Sequence, residues 1–309
     1  MRMCVVYPQA EFGSDPELIR EYAVRAEELG FSQIVAYDHV LGADPSSHKL
    51  TGPYNHQTPF MEPFVLFGHL SAVTKEIELA MGVLVLPQRQ TALVAKQAAT
   101  LDRLSAGRLV LGVGVGWNQV EYLSLNCDFS RRGQRIEEQI ELLRLLWSQP
   151  LVDFEGKFDL VDSAAISPRP IADDIPIWLG GWHDRVLQRV GRLGDGWFAF
   201  SGHPRNRSAF TDSRRIRRPE DLSRRVPIFA REALKYGRNP TEISISVLIS
   251  SVGFDKLEAW HPLEWAKRAK RWSEVGASHA VLSTLDLGFS PKQHLEALAE
   301  FRSAWDEHF

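Results

Sequence analysis

The sequence predicts an α/β fold in which eight strand–helix units close into a (β/α)₈ TIM barrel. Short apolar, β-branched runs alternate along the chain with longer segments that have helical hydrophobic spacing. Strand–helix alternation implies a parallel sheet, and eight such units close into a barrel. A chain of 309 residues, 44% of them hydrophobic, is sufficient for one domain of this kind spanning residues 1–309.

The eight units follow one another in order. The first joins the strand Cys4–Tyr7 to the helix Pro16–Leu29, which Asp15 caps and Gly30 ends. The other strands are predicted at Ile34–Tyr37, Ile77–Val85, Leu109–Gly114, Pro176–Leu179, Gly196–Phe200, Ile243–Ser250 and Ala280–Ser283. The other helices are predicted at Glu62–Thr74, Ala92–Leu104, Arg131–Trp147, Val186–Leu193, Asp221–Tyr236, Leu263–Val275 and Pro291–Trp305.

Three stretches exceed the minimal unit and are predicted insertions at the C-terminal face. Residues 42–59 are polar and rich in Pro, Gly and His, and residues 150–170 have room for a small hairpin. Residues 201–225 are dense in arginine, which favours either a pocket wall that moves on ligand binding or a solvated surface loop. Insertions at this face of a barrel commonly form lids over the active site.

The composition excludes several classes of function. A net charge of −3 gives no basic field for nucleic acid, and no run of about 20 apolar residues could span a membrane, so we expect a cytoplasmic protein. Cys4 and Cys127 are far apart and have no metal-ligand spacing. Zinc-protease, EF-hand, P-loop and hydrolase motifs are absent from the sequence, so no metal is predicted.

A charged pair follows the second predicted strand. Asp38 and His39 come directly after Tyr37, at the end of the strand where barrel active sites lie. Histidine donates or accepts a proton near neutral pH, which makes His39 the candidate acid or base, and Asp38 is a candidate for binding a ring N–H. The alternative is a strand-end pair that only hydrogen-bonds the loop backbone.

Glycines mark the ends of two further strands. Gly114 and Gly116 precede Trp117 and Asn118, and alternating glycines allow a ligand ring to approach the backbone; the alternative is that they serve packing alone. The fifth strand ends in Gly180, Gly181 and Trp182 before a helix, a geometry that suits a phosphate. Gly82 lies in the third strand, where a lone glycine is a weak signal of close ligand approach.

Several of these motifs together carry a family resemblance. They are Tyr-Asp-His at residues 37–39, the block from Met81 to Tyr122, IWLGG at residues 177–181, and RLGDGW at residues 192–197. In this order they resemble the bacterial luciferase-like monooxygenase superfamily, and most closely its coenzyme F420-dependent oxidoreductase branch. The match covers most of residues 1–200 and is weaker beyond them.

The resemblance implies a barrel that binds FMN or F420 and that forms a homodimer, as is common in the superfamily. It also implies a cis peptide bond between Gly82 and Val83, behind the cofactor ring. Through RLGDGW it adds Asp195 and Trp197 to the candidate cofactor-binding residues. The sugar-phosphate dehydrogenases of the superfamily have an acidic proton donor where this chain has Trp117, which argues against that activity. His39 is then the remaining acid/base candidate.

Two redox functions and one binding function fit these observations. We expect an oxidoreductase that moves a hydride or electrons between F420 and a small organic substrate. The first alternative is an FMNH₂-dependent monooxygenase supplied by a separate reductase, which requires a similar pocket. The second is a barrel that binds a flavin without catalysis. The substrate pocket is predicted to have aromatic walls from Tyr54, His56, Phe60, Trp182 and Phe200.

Overall fold

The computed structural model describes residues 1–200, 214–251 and 260–309, and within them it forms a closed parallel barrel. The barrel strands are β1 (Arg2–Val6), β2 (Gln33–Ala36), β3 (Glu78–Met81) with its continuation β4 (Leu84–Val85), β5 (Leu109–Gly114), β8 (Ile177–Gly180), β9 (Gly196–Phe198), β10 (Ser244–Ser250) and β11 (His279–Ser283). β11 pairs with β1, and β3 pairs with β5, which closes the sheet. The predicted fold class is therefore confirmed.

Helices cover the outside of the barrel. They are α1 (Gln9–Phe12), α2 (Pro16–Glu28), α3 (Pro63–Val73), α4 (Thr91–Leu104), α5 (Gln119–Ser124), α6 (Arg132–Ser148), α7 (Asp184–Leu193), α8 (Pro219–Lys235), α9 (Pro262–Glu274) and α10 (Pro291–Asp306). The side chain of Asp15 caps α2, and Ser290 forms a capping box with Gln293 at the start of α10. No helix of the described ranges is long and apolar enough to cross a membrane.

Three features of the structure lie outside the plain alternation of one strand with one helix. The third strand is interrupted between β3 and β4 by a cis peptide bond between Gly82 and Val83, as the resemblance implies. The short helices α1 and α5 follow β1 and β5, where no helix was predicted. The antiparallel pair β6 (Val152–Glu155) and β7 (Leu160–Ala164) occupies the insertion at residues 150–170.

The apolar core has two layers. The larger cluster lies between the strands and the surrounding helices and includes the fully buried Trp147, Trp197 and Trp265. A smaller cluster of strand side chains, among them Val35, Trp178 and Phe198, fills the barrel interior. The interior is packed, and the described residues form a cavity at the end of the barrel where the strand C-termini lie.

Candidate active site

A cavity of about 570 Å³ lies at the C-terminal ends of the barrel strands. Its lining comes from the segments that follow β2, β3, β5, β8, β9, β10 and β11, so nearly the whole circumference of the barrel contributes. The volume is in the range of small-molecule and cofactor sites. Ten of the predicted site residues line it: Asp38, His39, Gly82, Val83, Gly114, Gly116, Trp117, Gly180, Gly181 and Trp182.

The floor of this cavity is built around Val83. A Cβ added at Gly114 would lie 2.5 Å from Cγ2 of Val83, and one added at Gly180 would lie 2.7 Å from its Cγ1. Both distances are far below van der Waals contact. The two glycines therefore make room for the Val83 side chain, and a ligand ring would meet Val83 instead of bare backbone. This contact agrees with the packing interpretation of Gly114, while the binding of a cofactor at these glycines stays a prediction.

Gly116, two residues after the end of β5, makes room for a second valine side chain, that of Val85. Its φ of +61° lies in the left-handed region, and an added Cβ would be 2.6 Å from Cγ1 of Val85. Only glycine satisfies both conditions without strain. Val85 is in turn fixed through its backbone N–H, which donates to Oδ2 of Asp38 over 2.9 Å.

Both oxygens of Asp38 have partners. Oδ1 accepts from Nη2 of Arg89 over 2.9 Å, and Arg89 also donates to Glu62 over 2.9 Å. Burial raises the pKa of Asp38, and the neighbouring Arg89 only partly offsets this effect. The carboxylate thus holds the backbone of β4 at the cavity edge, and its expected contact with a cofactor ring remains a prediction.

His39 pairs with a buried carboxylate that the sequence analysis did not single out. Its Nδ1 lies 3.3 Å from Oε2 of Glu121, whose side chain is only 1% exposed. Oε2 also accepts from Gln88 over 3.1 Å, while Oε1 accepts the backbone N–H groups of Val40 and Leu41. Glu121 therefore holds both the histidine and the loop that carries it.

The ionised form of Glu121 is favoured. Burial by itself raises the pKa of this carboxyl, but the hydrogen bonds from His39, Leu41 and Gln88, together with the attraction of a protonated His39, outweigh burial. The pKa therefore lies below its ordinary value. The sequence signal was ambiguous because Asn118 and Glu121 have the spacing of a helix capping box. Asn118 does cap α5, but Glu121 turns away from the helix toward the loop after β2.

Aromatic rings surround His39. The ring centroids of Tyr54, Phe60 and Trp117 lie 5.5, 5.0 and 5.3 Å from that of the imidazole, all edge to face. Gly52 packs directly on Trp117, since an added Cβ would lie 2.3 Å from the indole Cε2. The insertion at residues 42–59 is thereby docked over the histidine.

A second cavity of about 400 Å³ lies on the other side of His39, Tyr54 and Trp117, which line both cavities. His56, Phe60 and Asn118 line the second cavity, whereas Trp182 and Phe200 line the first. The predicted aromatic pocket is thus divided between the two. Asn118 donates to the Leu41 carbonyl over 3.0 Å, a contact that ties α5 to the loop after β2.

In the segment after β8, backbone groups that could bind a phosphate already have hydrogen-bond partners. The N–H of Gly181 already donates to the Phe198 carbonyl over 3.4 Å, and the φ of Gly181 is +125°. His183 caps α7, and Asp184 in its first turn binds Arg225. The N–H groups of Arg185, Val186 and Leu187 donate to His183, so the first turn of the helix is partly occupied, and a contact of this segment with a phosphate remains a prediction.

Three arginines line the larger cavity. Arg215 is buried with its guanidinium 5.0 Å from the ring centre of Trp182, and Arg217 and Arg268 complete the group. They come from the predicted arginine-rich stretch and from α9. The first part of that stretch, residues 201–213, lies outside the described residues. Arg224 is different, because it is 73% exposed and pairs with Asp221.

The structure does not bring Asp195 and Trp197 to the cavity. Asp195 precedes β9 at the opposite end of the barrel, where it binds Arg144 and Arg238 and accepts from the N–H of Ile177. Trp197 is fully buried, and its indole N–H donates to the Gly181 carbonyl over 2.7 Å. Both are structural in this arrangement, and the motif that contains them carries no contact with the cavity.

Among residues 1–200, 214–251 and 260–309, no group of three or more His, Cys, Asp or Glu side chains is arranged to hold a metal ion. Cys4 is buried in β1, and burial raises the pKa of its thiol far above the ordinary value.

Comparison with known proteins identifies the family of the chain. The model of the luciferase-like monooxygenase family matches residues 5–308, and the chain belongs to this family. An uncharacterized protein of Mycobacterium tuberculosis is 35% identical over 206 residues, which cover 64% of this chain and 70% of that protein. An F420-dependent glucose-6-phosphate dehydrogenase of Intrasporangium calvum is 27% identical over 305 residues, covering 92% of this chain and 85% of the relative.

Solved structures share the fold at low sequence identity. The monooxygenase RslO1 from Streptomyces bottropensis superposes with a TM-score of 0.79 at 17% identity, covering 100% of this chain and 99% of that one. The oxygenating constituent of 3,6-diketocamphane monooxygenase from Pseudomonas putida, in complex with FMN, gives 0.74 at 13% identity with coverage of 100% and 99%. The chain is an enzyme of the luciferase-like class, whose members include F420-dependent oxidoreductases and flavin-dependent monooxygenases.

Proposed function

We propose that this chain is an F420-dependent oxidoreductase that acts on a small organic substrate. When bound, F420 exchanges a hydride with the substrate. The cavity suits such a cofactor, because Val83 and its glycines form an apolar floor for a flat ring while arginines stand at one side. His39 is the acid/base candidate because it lines the same cavity and is held by Glu121.

The observation that carries this proposal is the presence of Arg215, Arg217 and Arg268 around one cavity. F420 bears a phosphate and an acidic oligoglutamate tail, whereas FMN ends at its phosphate. Three guanidinium groups exceed what one phosphate needs and suit a longer anionic chain. The F420-dependent relative that matches 92% of this chain is consistent with the choice.

The second candidate is an FMNH₂-dependent monooxygenase that receives reduced flavin from a separate reductase. The FMN complex with the same fold favours it, and a floor made by Val83 does not distinguish the two rings. No observation favours a barrel that binds a flavin without catalysis. A homodimer, common in the superfamily, is the expected assembly, and a separate flavin or F420 reductase is the expected partner.

Paired variants test the role of the arginines. Arg217→Gln removes a charge that lines the cavity, and Arg224→Gln removes an exposed charge seven residues away in the same stretch. We expect Arg217→Gln to weaken F420 binding about tenfold, the loss of one charge-assisted contact worth ~1.5 kcal/mol, and to weaken FMN binding less. Arg224→Gln should bind both as the wild type does.

Fluorescence titration of the purified protein measures both affinities. Equal losses for F420 and FMN in Arg217→Gln would mean that this arginine meets only the shared phosphate. A turnover screen with small alcohols and carbonyl compounds, followed by the absorbance of F420, then tests the reaction itself. Oxygen consumption with reduced FMN, in the absence of F420 turnover, would support the second candidate instead.

A further inference from the structure

We infer that Glu121 is a positioning residue that fixes the proton of neutral His39 on Nδ1 and leaves Nε2 as the proton acceptor toward the cavity. The position of the proton follows from the contact between His39 and Glu121, whereas its role in catalysis rests on the proposed function.

The direction of the hydrogen bond follows from the other partners of the carboxylate. Oε1 of Glu121 accepts the backbone N–H groups of Val40 and Leu41, the latter over 3.0 Å, and these donors cannot reverse. Oε2 accepts the amide N–H of Gln88 over 3.1 Å. Burial raises the pKa of Glu121, but the hydrogen bonds from His39, Leu41 and Gln88 and the attraction of a protonated His39 prevail, so the pKa lies below its ordinary value. The hydrogen bonds from Leu41 and Gln88 do not depend on the charge of His39. An ionised carboxylate only accepts, so Nδ1 of His39, 3.3 Å away, must donate.

The same geometry assigns the second ring nitrogen. A neutral imidazole has one donor and one acceptor nitrogen, so a proton on Nδ1 leaves a lone pair on Nε2. His39 lines the cavity and is 11% exposed, enclosed by the rings of Tyr54, Phe60 and Trp117. The imidazole is therefore reached from the two cavities that it lines, where a bound molecule can exchange a proton with it.

In the proposed step a proton moves from the substrate to Nε2 of His39. The substrate O–H or N–H bond breaks, its electron pair stays on the substrate atom, and the proton forms the Nε2–H bond of an imidazolium. The buried charge of Glu121 balances the charge that forms on His39. In the reverse direction the imidazolium returns the proton. Trp117, at the position where sugar-phosphate dehydrogenases carry an acid, cannot take this part because its indole only donates.

Glu121→Gln gives a sharp test because the shape is kept while the hydrogen-bond pattern is reversed. The backbone donors at Val40 and Leu41 require the amide oxygen of the new side chain at the Oε1 position. Its NH₂ group then points at Nδ1 of His39 and donates to it. Nδ1 must accept, and the proton of the neutral ring moves to Nε2, which abolishes the acceptor.

The tautomer is measured directly by long-range ¹H–¹⁵N correlation spectra of protein labelled at histidine, in a pH series extended until the ring is neutral. The His39 signals are identified by their loss in His39→Gln. The matched control is Glu11→Gln, which changes a carboxylate paired with another buried histidine, since Oε2 of Glu11 lies 3.4 Å from Nε2 of His294.

We expect Nδ1–H for His39 in the wild type and in Glu11→Gln, and Nε2–H in Glu121→Gln. An Nε2–H tautomer in the wild type would overturn the inference, and so would an unchanged tautomer in Glu121→Gln. The wild-type spectrum decides even if the variant does not fold. F420 titration is a separate readout: failure to bind F420 would refute the proposed function and leave the tautomer result in place.

Discussion

Distances at the floor of the cavity predict the effect of replacing Gly114 by alanine. Gly114→Ala adds a methyl group 2.5 Å from Cγ2 of Val83, whereas carbon atoms in contact are ~3.5–4.0 Å apart. The valine methyl must therefore retreat by about 1 Å or more. It cannot move toward Gly180, where Cγ1 already fills the equivalent space. The side chain is pushed into the cavity that it lines.

The expected cost to folding is modest and the cost to binding is larger. Overpacking by one methyl group typically destabilises a core by ~1–3 kcal/mol, and the open cavity places this case near the lower end. A ring that rests on Val83 loses its flat support and meets the displaced methyl group. We expect at least a tenfold loss in affinity for F420 and FMN alike, which is ~1.4 kcal/mol or more.

A double variant and a control isolate the cause. Val83→Ala removes both terminal methyl groups, so Gly114→Ala combined with Val83→Ala should recover most of the lost stability and part of the affinity, a coupling that a double-mutant cycle measures. Gly68→Ala is the control, because an added Cβ there meets nothing within 4 Å. Wild-type affinity in Gly114→Ala, or the absence of rescue in the double variant, would refute the assignment of Val83 as the floor.

Two further predictions concern histidines. His39→Ala should lower kcat by ~10²–10⁴ while F420 affinity stays within a few-fold, because a general acid or base acts in the transition state; a loss of only a few-fold would leave His39 as a binding residue. Burial lowers the pKa of His279 from 6.5 to about 4, with smaller effects of Arg2 and the N-terminal amine. The neutral histidine therefore contributes its full stability above pH 6.5, and this stability is lost as the pH falls through about 4. At ~1.36 kcal/mol per pH unit the loss is roughly 3 kcal/mol, and urea unfolding of the wild type and His279→Gln across this range measures it; identical pH profiles would contradict the assignment.

The fold was predictable from the sequence because its signals are local. Each strand of the barrel is a short apolar run, and each helix such as Pro16–Glu28 has its own cap and hydrophobic face. The third strand was the exception, since an apolar run does not reveal that its hydrogen bonding is interrupted at Gly82 and Val83. That feature came only from the family resemblance.

The site was predictable in its positions but not in its contacts. Strand ends supplied Asp38, His39 and the glycines, because barrel active sites lie there. What the glycines face depends on tertiary packing, and Val83 rather than a ligand occupies their space. Glu121 was missed because it lies 82 residues from His39 in the sequence, and no periodicity or spacing links the two.

We propose that the cavity binds F420 and that its arginines recognise the acidic tail. The most direct test is equilibrium binding of F420 and FMN to the same purified protein, at low and at physiological salt. We predict tighter binding of F420, with an affinity that falls as salt screens the guanidinium groups. Tighter binding of FMN at both salt concentrations, with oxygen consumed by its reduced form in the presence of a substrate, would contradict the claim and identify a flavin monooxygenase.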